Sequence, residues 1–389
     1  MLRGRLVTGG SVVDDGVVTV VGDRVAYAGP AAEWDGAGRD GELPPPAPDR
    51  LLLPGLVDVH CHGAAGHGFP DDDVDGVLAA AAHHRAHGTT TLVASLVSAP
   101  AAVLRERLAL LAPLVRSGTL AGVHLEGPFL SAVRCGAQDP AALIPGDPAL
   151  LRELLADGSV VSMTLAPETA HADELVAVLR EHGVLPSFGH TDAAAGATTA
   201  AIRAAAGTGR LSATHLFNGM PPLLSRAPGP VAACLAAAAR GELVLELIGD
   251  GVHLAPETVT TVFDLVGPGQ IALVTDAMAA AGMADGRYRL GALPVEVAGG
   301  VARLATGDGP GAIAGGTARL IDVVRRTVAA GVPLADAVRS ATATPAALLG
   351  RSDVGHLAAG ARADVLVTDP RLIPIAVLRA GRWVQREES

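Results

Sequence analysis

From Leu56 to Ala277 short apolar runs rich in Val, Leu and Thr recur along the chain: LVDVHCH, TTTLVAS, LAGVHLEG, VVSMTLAP, LPSFGH, SATHLF, LVLELIGDG and IALVTDA. Each is continuously apolar instead of alternating, the pattern of a strand covered on both faces. Most are separated by Ala-rich stretches long enough for helices: Val74 to His87, Ala101 to Arg116, Ala172 to His182, Asp192 to Ala206 and Pro256 to Val266. Strand-then-helix units repeated eight times predict an α/β fold, a TIM-like (β/α)8 barrel over residues 54–355. After the eighth run, Tyr288 to Leu304 breaks the rhythm with a β-hairpin pattern near 287–305, and helices over Thr317–Ala330 and Leu334–Leu349 follow.

The two ends of the chain read differently. RLVTGG and SVVDDGVVTVVGDRVAYAG are short strands broken by Gly and Asp turns, closed by the Pro-rich linker Glu42 to Arg50. A similar pattern returns in ADVLVTDP and AVLRAGRWV, Ala363 to Val384. The simplest joining is one small, discontinuous β-sandwich domain made from residues 1–53 and 356–389.

Composition narrows the function classes. The 389 residues are 49% hydrophobic and 18% charged, a globular balance, and with aromatics at 2% the core must be built from Ala, Val and Leu. A net charge of -11 argues against nucleic acid or an anionic membrane as the main partner. No stretch reaches the roughly 18 apolar residues of a membrane span, and MLRGRLVTGG lacks a signal-peptide core, so the expected location is cytoplasmic. The three cysteines, Cys61, Cys135 and Cys234, form no CxxC pair and no disulfide framework. The chain contains no lysine, which excludes Schiff-base chemistry and a carboxylated-lysine metal bridge.

In a barrel of this kind the C-terminal ends of the strands form the active face. His60 and His62 end the first run, on one side of the strand, with Cys61 on the other. Glu126 ends the third, His190 the fifth, His215 the sixth, and Asp276 the eighth. Taken singly, each has an ordinary reading as a helix cap or a satisfied core histidine. Together they describe a divalent-metal site rich in imidazole, which suits zinc or a comparable ion such as iron, manganese or cobalt, and not Mg²⁺ or Ca²⁺. Such an ion lowers the pKa of water toward ~7 and polarises a carbonyl, and Asp276 is the candidate proton carrier. His124, two residues before Glu126, reads as a supporting residue. His253, past Gly251 on a strand-end turn, reads as a substrate contact.

PGLVDVHCHG, GVHLEGPFLS, GAQDP, FGHTDA, THLFNGM, IGDGVHL, LVTDAM and the later AGG segment resemble the N-acetylglucosamine-6-phosphate deacetylase family of the amidohydrolase superfamily. The resemblance spans nearly the whole chain. It implies that Glu126, His190 and His215 hold a principal metal and that His60, His62 and Asp276 hold a second, giving one or two ions per subunit. It further implies that metal-activated water attacks the acetyl group, with Asp276 as general base and then acid and His253 polarising the carbonyl. Asn218 and Gly219 would approach the sugar phosphate, and Arg226 would reach the neighbouring active site of a homodimer. The chain departs from the family at Arg134-Cys135, on a loop that the resemblance puts at the mouth of the site. Read alone, Cys135 is a small loop residue.

The same chemistry on another N-acyl amino-sugar phosphate, such as N-acetylgalactosamine 6-phosphate, stands as the alternative. A non-catalytic interaction protein on this fold is the remote one, since such proteins shed ligands that are all present here. Cyclic-amide hydrolysis is disfavoured by the lack of lysine in VVSMTLAP, and deaminase chemistry by Glu126.

Overall fold

The computed structural model describes residues 1–384 apart from residues 9, 37–41, 208 and 306–309. The last five residues of the expected C-terminal segment, 385–389, therefore lie outside the described residues. Each apolar run of the middle becomes a parallel strand, in chain order: β1 (Leu56–Asp58), β2 (Thr89–Val97), β3 (Gly122–Glu126), β4 (Val160–Leu165), β5 (Leu185–Phe188), β6 (Ser212–Ala213), β7 (Val244–Leu247) and β8 (Ile271–Leu273). Neighbours in sequence are neighbours in the eight-stranded sheet. Every residue of β2 and of β3 is buried, as strands sealed between a filled interior and an outer ring of helices must be. Beyond the ladder the ends of the sheet meet: Cys61 and Ala277 form a parallel bridge, and the Asp276 amide donates to the His60 carbonyl at 2.9 Å.

Some runs change state before they end. The run SATHLF is strand only at Ser212–Ala213, and His215 sits in the turn beyond, at φ 27°. The helix expected from Asp192 begins at Ala195, because Thr191 and Asp192 are held in a loop by the Glu168 carboxylate.

The chain ends meet in one hydrogen-bonded sheet of seven strands, with Leu51–Pro54 between Leu2–Thr8 and Val365–Thr368. Its two faces follow the two-residue period of a strand. Leu51 and Leu53 join the large barrel core, whereas Leu52 joins Leu6, Val18, Val25, Val365 and Val367 in a separate small core. After β8, a three-stranded antiparallel sheet, Gly286–Leu290, Leu293–Ala298 and Val301–Leu304, packs through Leu290 and Val295 on Val97 and Met278 at the C-terminal end of the barrel.

Candidate metal centre

Two groups of three buried side chains converge at the C-terminal strand ends, His60, His62 and Asp276 in one and Glu126, His190 and His215 in the other. They come from β1, β3, β5, β6 and β8 or the turns directly after them. Local backbone strain aims several of them inward. His190, His215, Phe217 and Asp276 all have positive φ, between 27° and 78°, a region that side chains occupy only when the surrounding structure enforces it.

Glu126 stands between the groups. Its Oε1 lies 2.9 Å from His215 Nε2, 3.0 Å from His190 Nε2 and 3.6 Å from His60 Nε2. Its Oε2 lies 3.3 Å from His62 Nε2 and accepts from Gln138 Nε2 at 2.6 Å. Asp276 Oδ1 is 3.2 Å from His62 Nε2 and 3.4 Å from His60 Nε2.

The imidazoles also face one another, His60 Nε2 to His62 Nε2 at 3.2 Å and His190 Nε2 to His215 Nε2 at 3.1 Å. His190 Nδ1 donates to the Arg134 carbonyl at 2.8 Å, and His60 Nδ1 lies 3.0 Å from Glu246 Oε2. With those protons on Nδ1, a neutral ring turns its Nε2 lone pair inward. Nitrogens and carboxylate oxygens gathered at such distances repel one another unless positive charge lies among them, either protons on the imidazoles or a divalent ion in their place, and this donor set fits the ion.

The carboxyls carry the matching electrostatics. Burial alone would raise the Glu126 carboxyl, but His60 and hydrogen bonds from His190 and His215 hold it well below the usual range. Burial likewise opposes ionisation of Asp276, and His60 and His62 overcome it, bringing the carboxyl to about 2. Burial disfavours charge on His253 too, yet the 2.8 Å bond from its Nδ1 to Asp250 Oδ2 raises its pKa.

A cavity of about 320 Å³ opens over the two groups, lined among others by His62, Asn218, Gly219, His253, Asp276 and Leu290. Gly219 has φ +61°, and a Cβ there would lie 2.9 Å from His190 Nδ1, so the turn admits only glycine. A larger cavity, about 730 Å³, lies beside Arg210 and Arg339 at the opposite end of the strands and contains none of these groups.

Not every residue singled out from the sequence joins the site. Arg226 is exposed and outside the cavity wall, and Cys135 is half-buried, although its neighbours Gly136, Ala137 and Gln138 line the cavity. His124 lies beneath His60 with ring centroids 4.5 Å apart, bonded to Ser95 Oγ and Thr164 Oγ1. Burial lowers its pKa well below the ordinary value, so it is a neutral packing partner. Two contributors went unread. Gln138 lies inside GAQDP, a signal available in the sequence, and Glu246 is a lone carboxylate in the apolar run LVLELIG.

Comparison with known proteins gives the family. Residues 51–385 match the model of the amidohydrolase family. N-acetylglucosamine-6-phosphate deacetylase of Bacillus subtilis (strain 168) is 34% identical over 281 residues, 70% of this chain and 69% of that protein. N-acetylgalactosamine-6-phosphate deacetylase of Escherichia coli O157:H7 is 34% identical over 330 residues, 83% of this chain and 84% of that one. The crystal structure of N-acetyl-D-glucosamine-6-phosphate deacetylase from Mycobacterium smegmatis superposes with a TM-score of 0.90 at 40% identity, covering 98% of this chain and 99% of that one.

Proposed function

We propose that this chain, which belongs to the amidohydrolase family, is a deacetylase that hydrolyses N-acetylglucosamine 6-phosphate to glucosamine 6-phosphate and acetate. The observation that carries the reading is the convergence of His60, His62 and Asp276 with His190 and His215 around the one carboxylate of Glu126, under a cavity that Asn218 and His253 also line.

Glu126, His190 and His215 would hold the principal ion and His60, His62 and Asp276 a second, one or two per subunit, with zinc our choice for this imidazole-rich set. A divalent ion there supplies a Lewis acid that makes water acidic near neutral pH and polarises a carbonyl. The remaining chemistry belongs to the chain. Asp276, ionised across the ordinary pH range, takes a proton from the attacking water. Water oxygen bonds to the acyl carbon, the C–N bond breaks, and Asp276 returns the proton to the leaving amine. His253, held at Nδ1 by Asp250, offers Nε2–H to the acyl oxygen as negative charge develops there. Asn218 and the Gly219 backbone approach the sugar phosphate, and Arg226 reaches it from a second copy of the chain in a homodimer. The expected location remains cytoplasmic, and no helix among the described residues is long and apolar enough to cross a membrane.

The relative from Escherichia coli O157:H7 supports a second reading, in which the preferred substrate is N-acetylgalactosamine 6-phosphate. Acetate release from both sugars, compared with a Glu126→Gln control, tests both. Turnover of the gluco epimer above the control is expected, preference for the galacto epimer selects the second reading, and no turnover of either overturns the deacetylase assignment.

A further inference from the structure

Glu246 lies on β7, is 4% exposed, and stands alone among Leu243, Leu245, Leu247 and Ile248, all buried and apolar. A carboxylate in such surroundings is costly unless its oxygens accept hydrogen bonds. Its Oε2 lies 3.0 Å from His60 Nδ1 and 3.4 Å from the backbone amide of His215. It therefore touches one member of each converging group from the barrel side, away from the cavity. Asp250 and His253, beyond the end of β7, are four and seven positions further along.

We infer that Glu246 is a positioning residue: it fixes His60 with Nδ1 protonated and Nε2 directed at His62 and Asp276, and so determines whether the second ligand group is competent. The inference rests on the reading of these residues as metal ligands. A carboxylate oxygen 3.0 Å from Nδ1 accepts the proton on that nitrogen, so the contact holds Nδ1 protonated and leaves Nε2 for the ligand group. His62 has no such support, since its Nδ1 is buried without a hydrogen-bond partner. Of the two histidines in the second group, His60 is thus the one whose geometry is imposed from outside the group. His190 in the first group has its own anchor in the Arg134 carbonyl, and Glu246 reaches that group only at the His215 backbone amide, 3.4 Å away, so no ring of the first group is held by Glu246.

The asymmetry gives the test. Zinc titrated calorimetrically into metal-stripped wild-type protein, Glu246→Leu and Glu246→Gln should show two binding events in the wild type. In Glu246→Leu the tighter event should survive and the weaker lose about 10–100-fold in affinity. Glu246→Gln, which keeps a carbonyl acceptor for Nδ1–H, should recover part of the loss, a rescue that mere filling of space would not give. Two events of wild-type affinity in Glu246→Leu would overturn the inference. Histidine-selective ¹⁵N spectra of the metal-free proteins, recorded at a pH alkaline enough to leave His60 with a single ring proton, give a reading independent of zinc: the His60 signal should report Nδ1–H in the wild type and redistribute in Glu246→Leu. An unchanged tautomer would overturn the inference even if zinc binds only once. Failure of the wild type to bind zinc at all would sink the metal reading, and the tautomer would still judge Glu246. Should Glu246→Leu not fold, Glu246→Gln alone decides, by a partial loss at the weaker event or none.

Discussion

At the scale of single residues, the site separates groups that act on substrate from groups that keep it in order. Asp276 is the sharpest case of the first kind. Burial works against its charge, two imidazoles restore it, and the carboxyl ends at about 2 with a strained φ of 47°. Asp276→Asn keeps the shape and removes the proton acceptor, so kcat for acetate release should fall by ~10²–10⁴ while KM changes little. A variant of near wild-type rate would remove Asp276 from the mechanism. His84 is of the second kind. It lies behind the His60–His62 segment, with Nε2 3.1 Å from the Gly63 carbonyl and 3.2 Å from Cys61 Sγ. Burial lowers its pKa to about 4, below the ~6.5 of an unfolded chain. Between those values the unfolded state binds the extra proton, so stability present above pH ~6.5 is lost as pH falls toward 4. His84 alone should cost about 2 kcal/mol between pH 7 and pH 5. Denaturant unfolding at both values would show it, with His84→Gln giving a shallower pH dependence; a variant as pH-sensitive as the wild type would contradict the assignment.

At the scale of elements, function is written into the turns after the strands. β3 ends in Glu126 and turns at once through Gly127, whose φ is +94° and whose added Cβ would collide with Ser98 Oγ and press on Leu130 Cδ1. Ser98 hands its hydroxyl to the Glu126 carbonyl and its amide to Gln138, which in turn donates to the Glu126 carboxylate. Gly127→Ala should therefore cost about 2 kcal/mol in denaturant unfolding and lower kcat as well, because the displaced Ser98 carries Gln138 with it. An alanine variant with wild-type stability and rate would show that the turn tolerates a side chain. The same elements explain what was legible in the sequence. Buried parallel strands are unbroken apolar runs, so eight were countable and their polar last residues stood out. The residues that orient the ligands were harder to see. Arg134 contributes only its carbonyl, which any residue has. Gln138 acts from an irregular loop, where no periodicity marks a side chain as inward. Glu246 gives a visible signal, a lone acid in a buried strand, yet its partners lie 186 and 31 residues away along the chain. The seven-stranded sheet was foreseeable as a union of the two ends, but its order depends on which leucine faces which core, and that is set by contact with the barrel.

At the scale of the whole molecule, the question is where the charge that receives the substrate comes from. The protein carries -11 overall, and the substrate proposed for it carries a phosphate. Among the described residues lining the site cavity there is no arginine, and the chain has no lysine. A phosphate drawn into a negatively charged molecule needs a local cation, and a guanidinium with two parallel donors fits it best. Arg226 lies on an exposed segment beside Leu223 and Leu224, which are 49% and 55% exposed, apolar surface that a second copy of the chain would cover. If that copy supplies the missing charge, sedimentation should give the mass of a dimer, and Arg226→Ala should raise KM by ~10–100-fold with little effect on kcat. A mixing experiment separates this from a role within one chain. Arg226→Ala and Asp276→Asn, each nearly inactive at low substrate, are denatured together and refolded. A mixed dimer then holds one site with both lesions and one with neither, so activity should return to roughly a quarter of the wild-type value. If Arg226 serves its own chain's site, every site in the mixture carries one lesion or the other, and no activity returns.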